Sequence, residues 1–126
     1  VGPNEVLDKS AIADGEVTLF HVVKYTEVDH CEQVSDAGGD WVGIAQEAAD
    51  ELDVSNRRVV RVRVEGVSRG IAAGEIALNA RVAATADGTL TTASGGDFVV
   101  GIARSPAAAA GDWFNVQLTP GLQLPA

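Results

Sequence analysis

The most reactive side chains of this chain crowd into one short stretch, Asp29-His30-Cys31-Glu32, with His21 upstream. Imidazole and thiolate are ligands of zinc and related metals, so His21, His30 and Cys31 form the candidate metal set. Adjacent residues of a strand point to opposite faces, however, and His30 and Cys31 meet one ion only if the chain turns between them. A polar hairpin tip explains the same residues, and neither a metal nor another cofactor is expected. Cys31 is the single cysteine; it excludes an internal disulfide, and nothing near it in sequence activates it as a nucleophile. Glu16, Glu75, Asp40 and Asp97 all stand at expected turns, where solvation or amide capping accounts for them, and no acid–base pair stands out. The chain contains no glycine-rich phosphate loop, dinucleotide fingerprint or G-x-S-x-G elbow. No catalytic residue is assigned, and the chain is not expected to be an enzyme.

Arg57, Arg58, Arg61 and Arg63 concentrate positive charge in a chain of net charge −9. Arginine is favoured at protein interfaces, so these four are candidate partner-binding residues for an acidic protein surface. The solvated face of an edge strand is the plainer alternative. Nucleic acid and anionic membrane are not expected partners, because both demand a cationic face. No apolar run approaches the ~20 residues of a membrane helix. The polar start, "VGPNEVLDKS", lacks the apolar core of a signal peptide, which predicts a soluble, non-secreted protein. Trp41, Phe98 and Trp113 read as anchors of a core otherwise built from Val, Ile, Leu and Ala.

The elements that must position these residues are short strands. "GGDWVGIA" (38–45) returns as "GGDFVVGIA" (95–103), "IADGEVTL" (12–19) as "IAAGEIAL" (71–78), and "VVRVRVEG" (59–66) has its counterpart in "WFNVQLTPG" (113–121). Ordered recurrence of this kind marks an internal repeat. Val60, Val62 and Val64 alternate with Arg61, Arg63 and Glu65, and Phe114, Val116 and Leu118 with Asn115, Gln117 and Thr119. Such alternation describes strands with one apolar and one wet face. "VTLFHVVKY" (17–25) alternates little and suits a strand covered on both sides. Asp87-Gly88 suits a two-residue hairpin turn with positive φ at both positions. Gly43 and Gly101 precede Ile-Ala at strand positions, where glycine marks a bend or close backbone approach. "AQEAADELDV" (45–54) is the one helical candidate. The expected architecture is mainly β: a small barrel or sandwich of two quasi-repeated halves, 12–66 and 71–121, in a single domain spanning 12–121. An aperiodic arm (1–11) precedes it and a tail (122–126) follows. The phrases repeat but the reactive residues do not, so the duplication follows structure rather than chemistry.

These phrases, from "IADGEVTLFHVVKY" through "FVVGIARSPAAAAGDWFNVQLTPG", together resemble the capsid decoration, or cement, proteins of tailed bacteriophages. The resemblance implies a β-tulip-like domain forming a homotrimer on the outside of the virion head, made in the host cytoplasm. It implies binding of the major capsid protein at three-fold or quasi-three-fold junctions after expansion, which clamps neighbouring subunits. It also implies that the arm residues Val1, Gly2, Pro3, Asn4, Glu5 and Val6 reach along the capsid. The "DELDVSNRR" segment (50–58) has no counterpart in the second half. A β barrel binding a small molecule or glycan is the alternative. A lysine-modified carrier domain is disfavoured, because Lys9 and Lys24 both lie far from the central hairpin.

Overall fold

Two five-stranded β units, one from each repeat, make up residues 6–125, the part of the chain that the computed structural model describes. In the first, β1 (Leu7–Ala13), β2 (Val22–Glu27), β3 (His30–Gln33), β4 (Gly43–Ala45) and β5 (Val59–Glu65) close into a barrel in the order β1-β3-β2-β4-β5. In the second, β6 (Val67–Ile71), β7 (Arg81–Ala84), β8 (Leu90–Thr92), β9 (Gly101–Ala103) and β10 (Trp113–Leu118) form a sheet in the order β6-β10-β9-β7-β8. The β1–β3 step is parallel, Ile12 facing His30 and Ala13 facing Cys31. Its counterpart is a single parallel bridge from Ala72 to Leu90, which brings the second sheet to the brink of closure.

The duplication holds in backbone detail. Val17 bridges Ala49 as Ile76 bridges Ala107. Phe20 and Asn79, at matching places, both adopt left-handed φ, 62° and 68°. Gly43 and Gly101 share one physical cause. A Cβ on Gly43 would lie 2.3 Å from the Arg63 carbonyl oxygen, and one on Gly101 would lie 2.2 Å from that of Gln117. At these two points β4 runs onto β5 and β9 onto β10 too closely for any side chain.

Small side chains fill the first barrel: Ala11, Ala13, Val17, Val23, Cys31, Ala45, Ala49, Val60 and Val62. A cylinder of so few strands is narrow, and its interior must be lined by residues of this size. The second unit places bulkier groups at the matching positions, Leu90 for Cys31, Phe114 for Val60 and Ile76 for Val17, in its own core. This added volume fits a sheet joined by one bridge rather than a full ladder. Val22, Val34 and Ile44 leave the first barrel and join the second core, with Phe20 and Trp41 packed against it. Thus β4 and the start of β2, Val22 and Val23, are covered on both faces, while the rest of 17–25 that the weak alternation marks is not.

The strand between Val17 and Tyr25 is shorter than the sequence suggests, because the chain turns at Phe20 and β2 starts at Val22. Three further expectations are revised. Residues 7–11 are not part of a free arm: they lie in β1, paired with β5 from Leu7↔Glu65 to Ile12↔Val59. The helix is not 45–54 but the five-residue α1 (Glu51–Ser55), begun by a capping box between Asp50 and Asp53; Ala45 and Ala49 are spent on the barrel interior instead. At Asp87-Gly88 positive φ occurs at Gly88 alone. The hairpin closes as a longer turn, with Thr85 N–H donating to Thr89 O and Gly88 N–H to Thr85 O. The tail also folds back on its own chain: Val99 N–H donates to Leu122 O, and Leu124 N–H to Asp97 O.

The glycine contacts make a direct forecast. Gly43→Ala and Gly101→Ala should each destabilise the fold by about 2–3 kcal/mol or more in urea unfolding. Gly74→Ala, with no heavy atom within 4 Å of its Cβ position, should cost under about 1 kcal/mol.

Candidate functional site

The four arginines do not form a free basic patch. Asp8 on β1 accepts from Arg63 at two points, 2.9 Å to Nε and 3.3 Å to the terminal nitrogen, and lies 3.3 Å from Arg61 Nε. Arg63 also donates to the Val67 carbonyl at 3.1 Å, tying the first barrel to the strand that opens the second unit. Arg58 pairs with Glu47 and Asp53. Arg57, at φ 57°, is exposed and in no ion pair among the described residues. Charge that looks available in sequence is therefore mostly spent inside the molecule, where charge-assisted, forked bonds fix the β1–β5 edge. Of the arm residues, Val6 is exposed, while Val1, Gly2, Pro3, Asn4 and Glu5 lie outside the described residues.

His30 and Cys31 part company as strand geometry requires. Cys31 is fully buried in the barrel, and burial, helped by the charge of Asp14, pushes its thiol up to about 11. His30 turns outward, with Nδ1 2.8 Å from Asp14 Oδ1 and Nε2 3.3 Å from Glu27 Oε1. Asp14, Glu27 and His30 bring their ligand atoms within 4.8 Å of one another, a grouping that replaces the one read from sequence. Both imidazole nitrogens already face carboxylates within the protein. Hydrogen bonds from Thr26 and His30, with the charges of His30 and Arg57, hold the Asp14 carboxyl below its ordinary value. His21 Nδ1 lies 3.1 Å from the Leu19 carbonyl oxygen, away from this group. Among the described residues neither histidine contacts a serine, threonine or cysteine side chain in the manner of a nucleophile and its base.

Polar and aromatic contacts join the two units. Trp41 Nε1–H donates to the Val99 carbonyl at 3.1 Å, Gly38 N–H to Ala84 O and Phe98 N–H to Gly38 O. Gln33 donates to the Asp87 carbonyl at 2.7 Å. Trp41 is thus a structural anchor, as expected, whereas half-buried Phe98 joins the seam through its backbone amide. Trp113 is not an anchor: it is 57% exposed. The period-2 pattern that buries Phe114, Val116 and Leu118 places Trp113 on the wet side, so parity alone carried the signal. Ala, Val and Cys side chains line the barrel interior, and four clefts among the described residues are open surface depressions of about 270 to 540 Å³. No helix is long and apolar enough to cross a membrane.

The fold is thus a duplicated β unit whose halves are joined by a hydrogen-bonded seam. Comparison with known proteins gives its family. The phage cement protein family matches residues 3–118, and the chain belongs to it: it is a capsid-associated protein of a structural family. Its fold is similar to the N base of the head fiber gp8.5 in bacteriophage phi29, with a TM-score of 0.69 over 91% of this chain and 95% of that one, at 17% identity. No curated protein matches the chain.

Two outcomes follow from the titratable groups. The depressed Asp14 carboxyl contributes stability in full above its ordinary value of 3.8, and that contribution is lost as pH falls through the lower folded value. The stability difference between wild type and Asp14→Asn should therefore shrink below about pH 4 in acid titrations followed by circular dichroism. Cys31 should react with a thiol reagent at pH 8 only as fast as the barrel opens, and the rate should rise in step with urea unfolding.

Proposed function

We propose that this chain is a head decoration protein that binds the exterior of the expanded capsid at three-fold or quasi-three-fold positions. It acts as a homotrimer of β-tulip-like subunits and clamps adjacent major capsid subunits. Membership of the cement family over nearly the whole chain carries this reading, and an interior lined by Ala, Val and Cys side chains supports binding by surface rather than by pocket. The mechanism is linkage, not catalysis: a ligand that binds the expanded shell and not its precursor stabilises the expanded shell, by ~2.7 kcal/mol per site at a hundredfold excess over Kd. Val1–Val6 reach from the first strand along the shell; Arg63 and Arg61 lie near that origin, and Arg57 and Arg58 lie at the opposite end of β1. Asp8 holds Arg61 and Arg63 in place there, so they present a fixed, partly neutralised edge to the partner. Synthesis is in the host cytoplasm, and assembly is on the outer face of the head.

Sedimentation with heads tests this. The chain should pellet with expanded heads of its phage and not with unexpanded precursors, and heads carrying it should resist heating and chelation better than bare ones. Sedimentation equilibrium should give three times the chain mass at working concentrations. Equal binding to both shell forms, or to neither, would overturn the reading.

A further inference from the structure

One exposed constellation is left unexplained by the shared fold. On β6 and β10, Arg69 faces Asn115 across the ladder, with Trp113 on the diagonal. The Arg69 guanidinium carbon lies 4.2 Å from the Trp113 ring centre and 6.0 Å from that of Phe20. This stacking orders the long side chain, and Arg69 lines a cleft of about 270 Å³. Gln46, Ser68 and Asn115 line that cleft with Arg69, and no carboxylate does. Arg63, which also lines it, is already committed to Asp8 and Val67. Among the described residues the Arg69 side chain has no ion-pair or hydrogen-bond partner, although acidic residues outnumber basic ones two to one, 18 against 9. The matching positions of the first half hold Ser10 and Val59 in place of Arg69 and Trp113, and the second half holds Asn79 where the first has Phe20. The fold therefore does not require the cluster.

We propose that Arg69, held between Phe20 and Trp113, is the anchor that seats a carboxylate-bearing segment of the capsid protein. The partner's identity rests on the cement reading; the chemistry of the seat does not. A stacked guanidinium with unspent donors matches a carboxylate in forked geometry. An exposed Trp beside an Arg is the composition that dominates binding energy at protein interfaces. The polar floor is equally suited: Gln46 Nε2 donates to Ser68 Oγ at 2.9 Å, and Ser68 to the Arg69 carbonyl at 2.9 Å, so the cleft is braced before a partner arrives.

Arg69→Ala and Trp113→Ala remove exposed side chains and should leave thermal melting nearly unchanged. Each should weaken co-sedimentation with expanded heads about tenfold or more, with Arg69→Lys between them and wild type. A zero-length carbodiimide reaction on the Arg69→Lys complex should join the introduced amine to an aspartate or glutamate of the capsid protein, read by mass spectrometry. Full-affinity binding by both alanine variants, or a cross-link solely to a second copy of this chain, would overturn the assignment. If wild type itself fails to bind heads, the cement reading falls, and titration with hexaglutamate decides the seat. A shift of the Trp113 indole N–H resonance in wild type but not in Arg69→Ala supports it; no shift in wild type refutes it.

Discussion

Everything in this molecule depends on how narrow a five-stranded cylinder is. Where β4 crosses β5 there is no room for a Cβ between the backbone of residue 43 and the carbonyl of Arg63, and the same holds for Gly101 and Gln117. Closing the ring at that radius limits the interior to Ala, Val and Cys.

The second constraint is the seam. A single small barrel buries too little apolar area to be comfortable alone. Here β2 and β4 use their outer faces, through Val22 and Ile44, to enter the core of the second unit. Trp41, Gln33 and Arg63 then bridge the seam with hydrogen bonds to Val99, Asp87 and Val67. Shared core and hydrogen bonds thus join the two repeats into one packed unit. The repeats diverge in the core, and also on the surface, where Arg69 and Trp113 replace Ser10 and Val59 without disturbing the ladders.

Much of this was legible in the chain. The repeat, the wet and dry faces of 59–64 and 113–118, and the special role of Gly43 and Gly101 follow from spacing and residue type. Residues 7–11 were not legible as a strand, because their buried positions hold only alanines and their partners lie some fifty residues away in sequence. The helix was misplaced because Ala45 and Ala49 satisfy a helical period while being needed, at the same spacing, inside the barrel. The arginines looked free because Asp8 is distant in sequence and adjacent in space.

By itself the sequence determined the period, the duplication and the lack of catalytic motifs, since these depend on local alternation and on residue chemistry. Only the tertiary structure decided which charges cancel and which remain. Pairing depends on distances across β1–β5 and β6–β10 that no local pattern records. Asp8 therefore silences Arg61 and Arg63, and Arg69 stays available beside an exposed tryptophan.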